Sequence, residues 1–339
     1  MTTNQVILCP GQGAQAVGMG RAWCQSNPAA AAIFARADQA IDLASIGGSL
    51  SKIAFEGPAE TLNRTDVSQP ALYTCAVASF HAMQEAGATA TITACAGLSL
   101  GEYTALHLAG AFSFEDGLRL VAMRGRLMQA AAQASRGSMV ALIGADDAQA
   151  QAVCDGAAQG EVLVCANFNA PGQIVLSGHA SACDRAVEFA STVGCRATRL
   201  QVAGAFHSPL MAPAAESMKK ALESVEFKPL RCAVWSNVTA KIHDPSDTNL
   251  LKKLLVDQIV SPVLWSQSMT ALIAGLPVGA DRPALHELAP GSVLKGLMRR
   301  IDRSCEVTSH DKPDKPDKPD TPHTPDNHGN PKIADSSRT

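Results

Sequence analysis

The sequence predicts an α/β protein in two unequal parts: a large subdomain with a mainly parallel sheet flanked by helices, and a small ferredoxin-like βαββαβ subdomain inserted into it. Three observations carry this prediction. Short apolar runs alternate with longer helical patterns through most of the chain, as a sheet covered on both faces requires. A compact strand, helix, strand, strand, helix, strand order fills residues 137–203. The 339 residues are 46% hydrophobic and 17% charged, enough to bury a sizeable core.

In chain order, "QVILCP" (5–10) is a first buried strand, and "CPGQGAQAVGMG" (9–20) is the loop that leaves it. "TITACA" (91–96) is brief, apolar and partly β-branched, as a second strand should be. After Ser99, apolar residues at Leu100, Ala105, Leu108 and Ala109 have helical spacing. "SFEDGLRLVAMRGRLMQAA" (113–131) opens with Ser113 and Asp116 in capping-box spacing and continues as a helix.

The inserted unit follows: "SMVALIG" as strand, "DAQAQAVCDGAAQ" as helix, and "VLVCANF" and "QIVLSG" as strands joined through Asn169-Ala170-Pro171-Gly172. "SACDRAVEFASTVG" and "RATRLQV" then supply a helix and a closing strand. Further on, "CAVWSN" and "ALHELAP" read as strands of the large subdomain, which comprises 1–136 and 204–308. From 309 to 339 the composition changes to Lys-Pro-Asp repeats almost without large apolar side chains, so a disordered tail is expected there. Its irregularly spaced His310, His323 and His328 are assigned no metal.

The net charge of −3 gives no electrostatic reason to expect nucleic acid or an anionic membrane as partner. No apolar run reaches the roughly 18 to 20 residues that a membrane span needs, and the N-terminus lacks a basic region followed by a long apolar one. A cytoplasmic protein is therefore expected. The ten cysteines are scattered through mostly apolar contexts without a CxxC pair, which fits buried thiols and neither disulfides nor zinc.

Gly97-Leu98-Ser99-Leu100-Gly101 fits G-x-S-x-G, a strand-to-helix corner that projects a serine Oγ above the sheet of an α/β-hydrolase-like core. The N–H of Leu100 then points from the helix start toward an oxyanion. A serine hydroxyl needs a base. His207, in "VAGAFHSPLM", is the best placed, in a loop after a predicted strand, and His286 in "ALHELAP" is its rival. His81 and His107 lie in helical patterns and fit packing roles. No acidic third member stands out among Asp244, Asp247 and Asp257, and a backbone carbonyl could orient the imidazole equally well, so a Ser-His pair is expected.

On the 113–131 helix and just beyond, Glu115, Arg119, Arg126 and Gln133 share a polar face, while Arg124 falls well away among Leu120, Val121 and Met128. An inward arginine keeps its proton and needs an anion, either a protein carboxylate or a bound one, unless it snorkels outward. Gly11-Gln12-Gly13 loosely matches a dinucleotide fingerprint, but no acidic residue follows at the required distance. No cofactor or metal is therefore expected, and the Gln12 N–H is the alternative use of this loop, as a second oxyanion donor.

Together "PGQGAQAVGMG", "SQPAL", "GLSLGEYTAL", "MRGRLMQ", "NAPGQIV", "GAFHSPLM", "SNVTA" and "QIVSPVLWSQSM" resemble the malonyl-CoA:acyl carrier protein transacylase family of type II fatty acid synthesis, in order from about residue 6 to 302. That resemblance implies Ser99 as acyl-accepting nucleophile, His207 as its base, Gln12 and Leu100 as oxyanion hole and Arg124 as clamp for the malonate carboxylate. It also implies Gln69 and Phe206 at the substrate, with Phe206 crowding an α-methyl group, and a main-chain carbonyl near Gln258 holding the histidine. The implied partners are malonyl-CoA and phosphopantetheinylated acyl carrier protein, and the reaction is expected to be ping-pong; nothing in the sequence obliges a dimer, so a monomer is expected. The family usually has histidine before the nucleophile where this chain has Leu98, and acyl-group preference is where that difference is expected to act. A hydrolase, which would use His286, and a non-catalytic carrier-binding module are the alternative readings.

Overall fold

The computed structural model describes residues 4–85 and 90–313. Nine strands form two sheets among these residues. The first contains β1 (Asn4–Cys9), β2 (Thr91–Gly97), β7 (Ala233–Val234), β8 (Ala284–Leu288) and β9 (Val307–His310) in the order β7-β2-β1-β8-β9. All of its pairings are parallel.

The pleat of β1 explains the layering. Ile7 and Cys9 point into one apolar cluster, with the helices Pro28–Ala40, Thr65–Glu85, Gly101–Leu108 and Phe114–Ala134. Val6 and Leu8 point into another, with the helices Trp265–Ala274 and Val293–Ile301. A strand buried on both faces must be apolar at every position, and "VILC" is.

The second sheet contains β3 (Gly137–Ile143), β4 (Leu163–Ala170), β5 (Gln173–His179) and β6 (Arg196–Arg199) in the order β4-β5-β3-β6, antiparallel throughout. Helices Asp147–Ala158 and Ala180–Phe189 cover one face, where Val140, Leu142, Ile174 and Leu176 are buried. Met139 and Val175, on the opposite face, join the main core. This strand order, antiparallel throughout, is the one a ferredoxin-like βαββαβ unit gives. Its β4 is tied to the large sheet's surroundings by Val263, whose N–H donates to Ala166 O and whose carbonyl accepts from Phe168 N.

Two boundaries differ from the sequence reading. The short strand β7 is only two residues of "CAVWSN". The tail expected from 309 begins inside β9, where Glu287 pairs with Ser309 and Leu288 with His310. Trp23 Nε1 donates to the His310 carbonyl at 3.0 Å, and Ser309 Oγ donates to Gly291 O. The open edge of β8 draws these residues into the sheet, a partner that local composition does not reveal. Residues 314–339, with His323 and His328, lie outside the described residues.

All ten cysteines are free thiols, eight of them buried. Among the described residues no helix is long and apolar enough to cross a membrane.

Candidate active site

The corner between β2 and the helix Gly101–Leu108 is built by backbone packing. A Cβ on Gly97 would lie 1.9 Å from the Gly101 carbonyl carbon, and one on Gly101 would lie 2.1 Å from Cys9 O. Both positions therefore admit only hydrogen. Ser99, held between them, has φ of 52°, a left-handed conformation costly for a residue with a side chain. The turn is held by its own neighbours: Leu98 N donates to Cys9 O, and Ser99 N donates to Asn237 Oδ1 at 2.6 Å. Asn237 Nδ2 in turn donates to Gly97 O at 2.8 Å.

His207 lies in the loop after β6 and also has a left-handed backbone, with φ of 56°. Its Nε2 is 2.8 Å from Ser99 Oγ, and its Nδ1 is 2.7 Å from the main-chain carbonyl of Gln258. A carbonyl can only accept, so Nδ1 carries the proton and Nε2 presents its lone pair to the serine hydroxyl. Burial, followed by the nearby Arg124 charge, lowers the His207 pKa to about 4. A neutral imidazole at hydrogen-bond distance is what proton transfer from a serine requires.

Arg124 is 1% exposed on the inner face of the helix Phe114–Ala134. Nη1 donates to Gln69 Oε1 at 2.8 Å, and Nη2 donates to Gln258 Oε1 at 2.9 Å and to Ser99 Oγ at 3.1 Å. Nε has no partner. Among the described residues no carboxylate forms a salt bridge with this guanidinium. Burial lowers its pKa, yet arginine remains charged in proteins. A buried cation held by neutral oxygens beside a candidate nucleophile is suited to an anionic ligand.

The remaining predicted residues surround this centre. Leu100 is buried at the start of the helix, and the N–H groups of Ser99, Gly101, Glu102 and Tyr103 donate to acceptors within the protein. Gln12 sits in the turn after β1. Gly11 beside it is packed so tightly on Leu98 that a Cβ would lie 2.2 Å from Leu98 O and 3.2 Å from Leu98 Cδ2. Leu98 thus abuts the Gln12 loop. Phe206 is buried in the main core next to His207.

The rival His286 is in β8, paired with Ile7, with Nδ1 2.9 Å from His310 Nε2. Its hydrogen bond leads to the far edge of the sheet, to β9. The structure therefore brings His207 and not His286 to Ser99.

Three buried residues to which the sequence reading gave no role stand behind the serine. Glu102 Oε1 is 2.7 Å from His243 Nε2, and Glu102 Oε2 accepts from Gln258 Nε2 at 2.6 Å and from Asn237 N at 3.3 Å. The only local signals were a glutamate in the first turn of an otherwise apolar helix and an asparagine after the short strand in "SNVTA". Among the described residues no group of three or more His, Cys, Asp or Glu side chains is arranged to hold a metal ion.

The model of the acyl transferase domain family matches residues 6–316. The chain is 38% identical over 309 residues to the malonyl CoA-acyl carrier protein transacylase of Bacillus subtilis (strain 168), covering 91% of this chain and 93% of that one. It is 38% identical over 312 residues to the protein of that name from Escherichia coli (strain K12), covering 92% and 97%. Among solved structures, the malonyl CoA-acyl carrier protein transacylase of Coxiella burnetii superposes with a TM-score of 0.84 at 34% identity, covering 92% of this chain and 95% of that one. A malonyl-transacylase solved in complex with a type II PKS acyl-carrier protein also superposes with a TM-score of 0.84, at 35% identity and covering 92% and 97%.

Proposed function

The chain belongs to the acyl transferase family, among the malonyl CoA-acyl carrier protein transacylases, and from that premise we propose how its residues carry malonyl from malonyl-CoA to the phosphopantetheine thiol of acyl carrier protein. The product is the extender unit of fatty acid synthesis. The observation that carries the site assignment is Arg124, a buried charge with no carboxylate salt bridge among the described residues, donating to Ser99 Oγ at 3.1 Å.

In the first half-reaction Ser99 Oγ passes its proton to His207 Nε2 and attacks the thioester carbonyl. The N–H groups of Gln12 and Leu100 receive the developing oxyanion. The tetrahedral intermediate collapses, the C–S bond breaks, and the CoA sulfur leaves with the proton from His207. Malonyl-serine remains, its free carboxylate on Arg124, with Gln69 and Gln258 holding the guanidinium in place.

In the second half the carrier's thiol gives its proton to His207 and attacks the ester through the same oxyanion hole. Ser99 leaves and regains the proton, so the kinetics are ping-pong. Phe206, beside the base, crowds an α-methyl group and favours malonyl over branched analogues.

Intact-protein mass spectrometry after brief mixing with malonyl-CoA tests this reading. A malonyl adduct is expected on the unaltered chain and not on Ser99→Ala, and holo-carrier should discharge it. An adduct that is lost to water without carrier would identify a hydrolase, and absence of an adduct would leave a carrier-binding module.

A further inference from the structure

We infer that Glu102 is a positioning residue that sets the malonyl selectivity of the site by orienting the Gln258 amide against Arg124; this rests on the reading of Arg124 as the carboxylate clamp. Gln258 makes three kinds of contact at the site. Its main-chain carbonyl fixes His207 Nδ1, and its side-chain oxygen accepts from Arg124 Nη2. Its side-chain nitrogen donates to Glu102 Oε2 at 2.6 Å and to Ser99 O at 3.0 Å. One fully buried amide thus stands between a buried carboxylate and a buried guanidinium.

The amide has two ends of opposite polarity, and which end faces Arg124 is not determined by shape, since oxygen and nitrogen are nearly isosteric. Arg124 can only donate and Ser99 O can only accept, so both favour the same orientation, and the charge of Glu102 reinforces it. A carboxylate can only accept, so it claims the NH2 end and leaves the oxygen for the arginine. Glu102 is itself held by His243 Nε2 and by Asn237 N.

The relay also keeps the two charges apart. A glutamate in direct contact with Arg124 would occupy the donors that a substrate carboxylate needs. Acting through Gln258, Glu102 compensates the buried cation while Nε and the exchangeable Ser99 contact remain for malonate.

Glu102→Gln is the test, because it preserves size and an acceptor for His243 while removing the charge that reinforces the amide's orientation. The Gln258 amide is then held in this orientation only by Ser99 O and by Arg124 itself, so the guanidinium is positioned less firmly. The expected result is a rise in KM for malonyl-CoA, so that the ratio of kcat/KM for malonyl-CoA to that for acetyl-CoA falls about tenfold. In an Arg124→Ala background the same substitution should not move the ratio, because nothing is left to position.

An unchanged ratio in the Glu102→Gln enzyme, or an equal fall in the Arg124→Ala background, overturns the inference. Where Glu102→Gln does not fold, Gln258→Met breaks the relay but keeps the main-chain carbonyl on His207, and the same ratio decides. An unaltered enzyme that forms no malonyl-serine would overturn the functional reading together with this inference. A selective unaltered enzyme with an indifferent Glu102→Gln variant overturns the inference alone.

Discussion

Arg124 Nη2 and Ser99 Oγ are 3.1 Å apart, so the residue proposed to hold the substrate's carboxylate and the residue proposed as nucleophile share one hydrogen bond. In the proposed mechanism acylation of Ser99 releases that donor to the malonyl carboxylate, which would couple binding and chemistry through a single guanidinium.

Replacing Arg124 by alanine should therefore cost selectivity first. Leaving a ligand carboxylate buried without its cation lowers kcat/KM for malonyl-CoA by about 10²- to 10³-fold. Acetyl-CoA has no carboxylate to lose and should be affected far less. Steady-state kinetics with both thioesters check this, and a preserved malonyl preference would remove Arg124 from the substrate site.

The pH dependence follows from the same neighbours. His207 must be neutral to act as a base, so activity is present above its pKa and is lost as the pH falls through it. Burial and Arg124 together depress that pKa from 6.5 to about 4, and the acid limb of kcat/KM should lie correspondingly low. Removing the Arg124 charge removes one of the two depressing influences, so the limb should move upward in Arg124→Ala. Profiles recorded with acetyl-CoA keep the substrate carboxylate out of the measurement; a limb that stays in place would mean that Arg124 does not influence the base.

Much of this site is legible in the chain because its logic is local. Gly97 and Gly101 mark the corner on which Ser99 sits, since no side chain fits against Cys9 O or the Gly101 carbonyl. Helical periodicity alone turns Arg124 inward, away from Glu115, Arg119 and Arg126. What the sequence does not reveal is long-range pairing. Glu102 meets His243 across 141 positions, and His310 joins β8 beside the Lys-Pro-Asp repeats. A buried carboxylate looks locally like a solvated one until the fold shows what surrounds it.

His207 and His286 offer a direct contrast. His207→Ala should lower kcat/KM by about 10²- to 10⁴-fold, the usual contribution of a general base. His286→Ala breaks a contact to His310 at the opposite edge of the sheet and should leave turnover within about threefold while lowering stability by about 1 kcal/mol. Measuring acylation rate and thermal unfolding for both variants separates the roles. The reverse order of effects would restore the hydrolase arrangement, in which the last histidine serves the nucleophile.

The same reasoning distinguishes two glycines that look alike in sequence. Gly101 opens the helix Gly101–Leu108, and an added Cβ would meet Cys9 O at 2.1 Å and Pro10 O at 2.9 Å. Neither atom belongs to a flexible side chain, so Gly101→Ala must separate β1 from the serine corner. A loss of at least about 3 kcal/mol is expected, above the usual cost of overpacking because backbone has to move. The shift also moves the Gln12 loop relative to Leu100, so the folded fraction should acylate at least about tenfold more slowly.

Gly296, within the helix Val293–Ile301, has nothing within 4 Å of an added Cβ. There alanine removes only the conformational freedom of glycine and should raise stability by about 0.5–1 kcal/mol with acylation unchanged. Chemical denaturation and the rate of malonyl adduct formation measure both quantities for each variant. Equal behaviour of the two substitutions would show that close packing of Gly101 on the Cys9 carbonyl is not what holds the nucleophile corner in place.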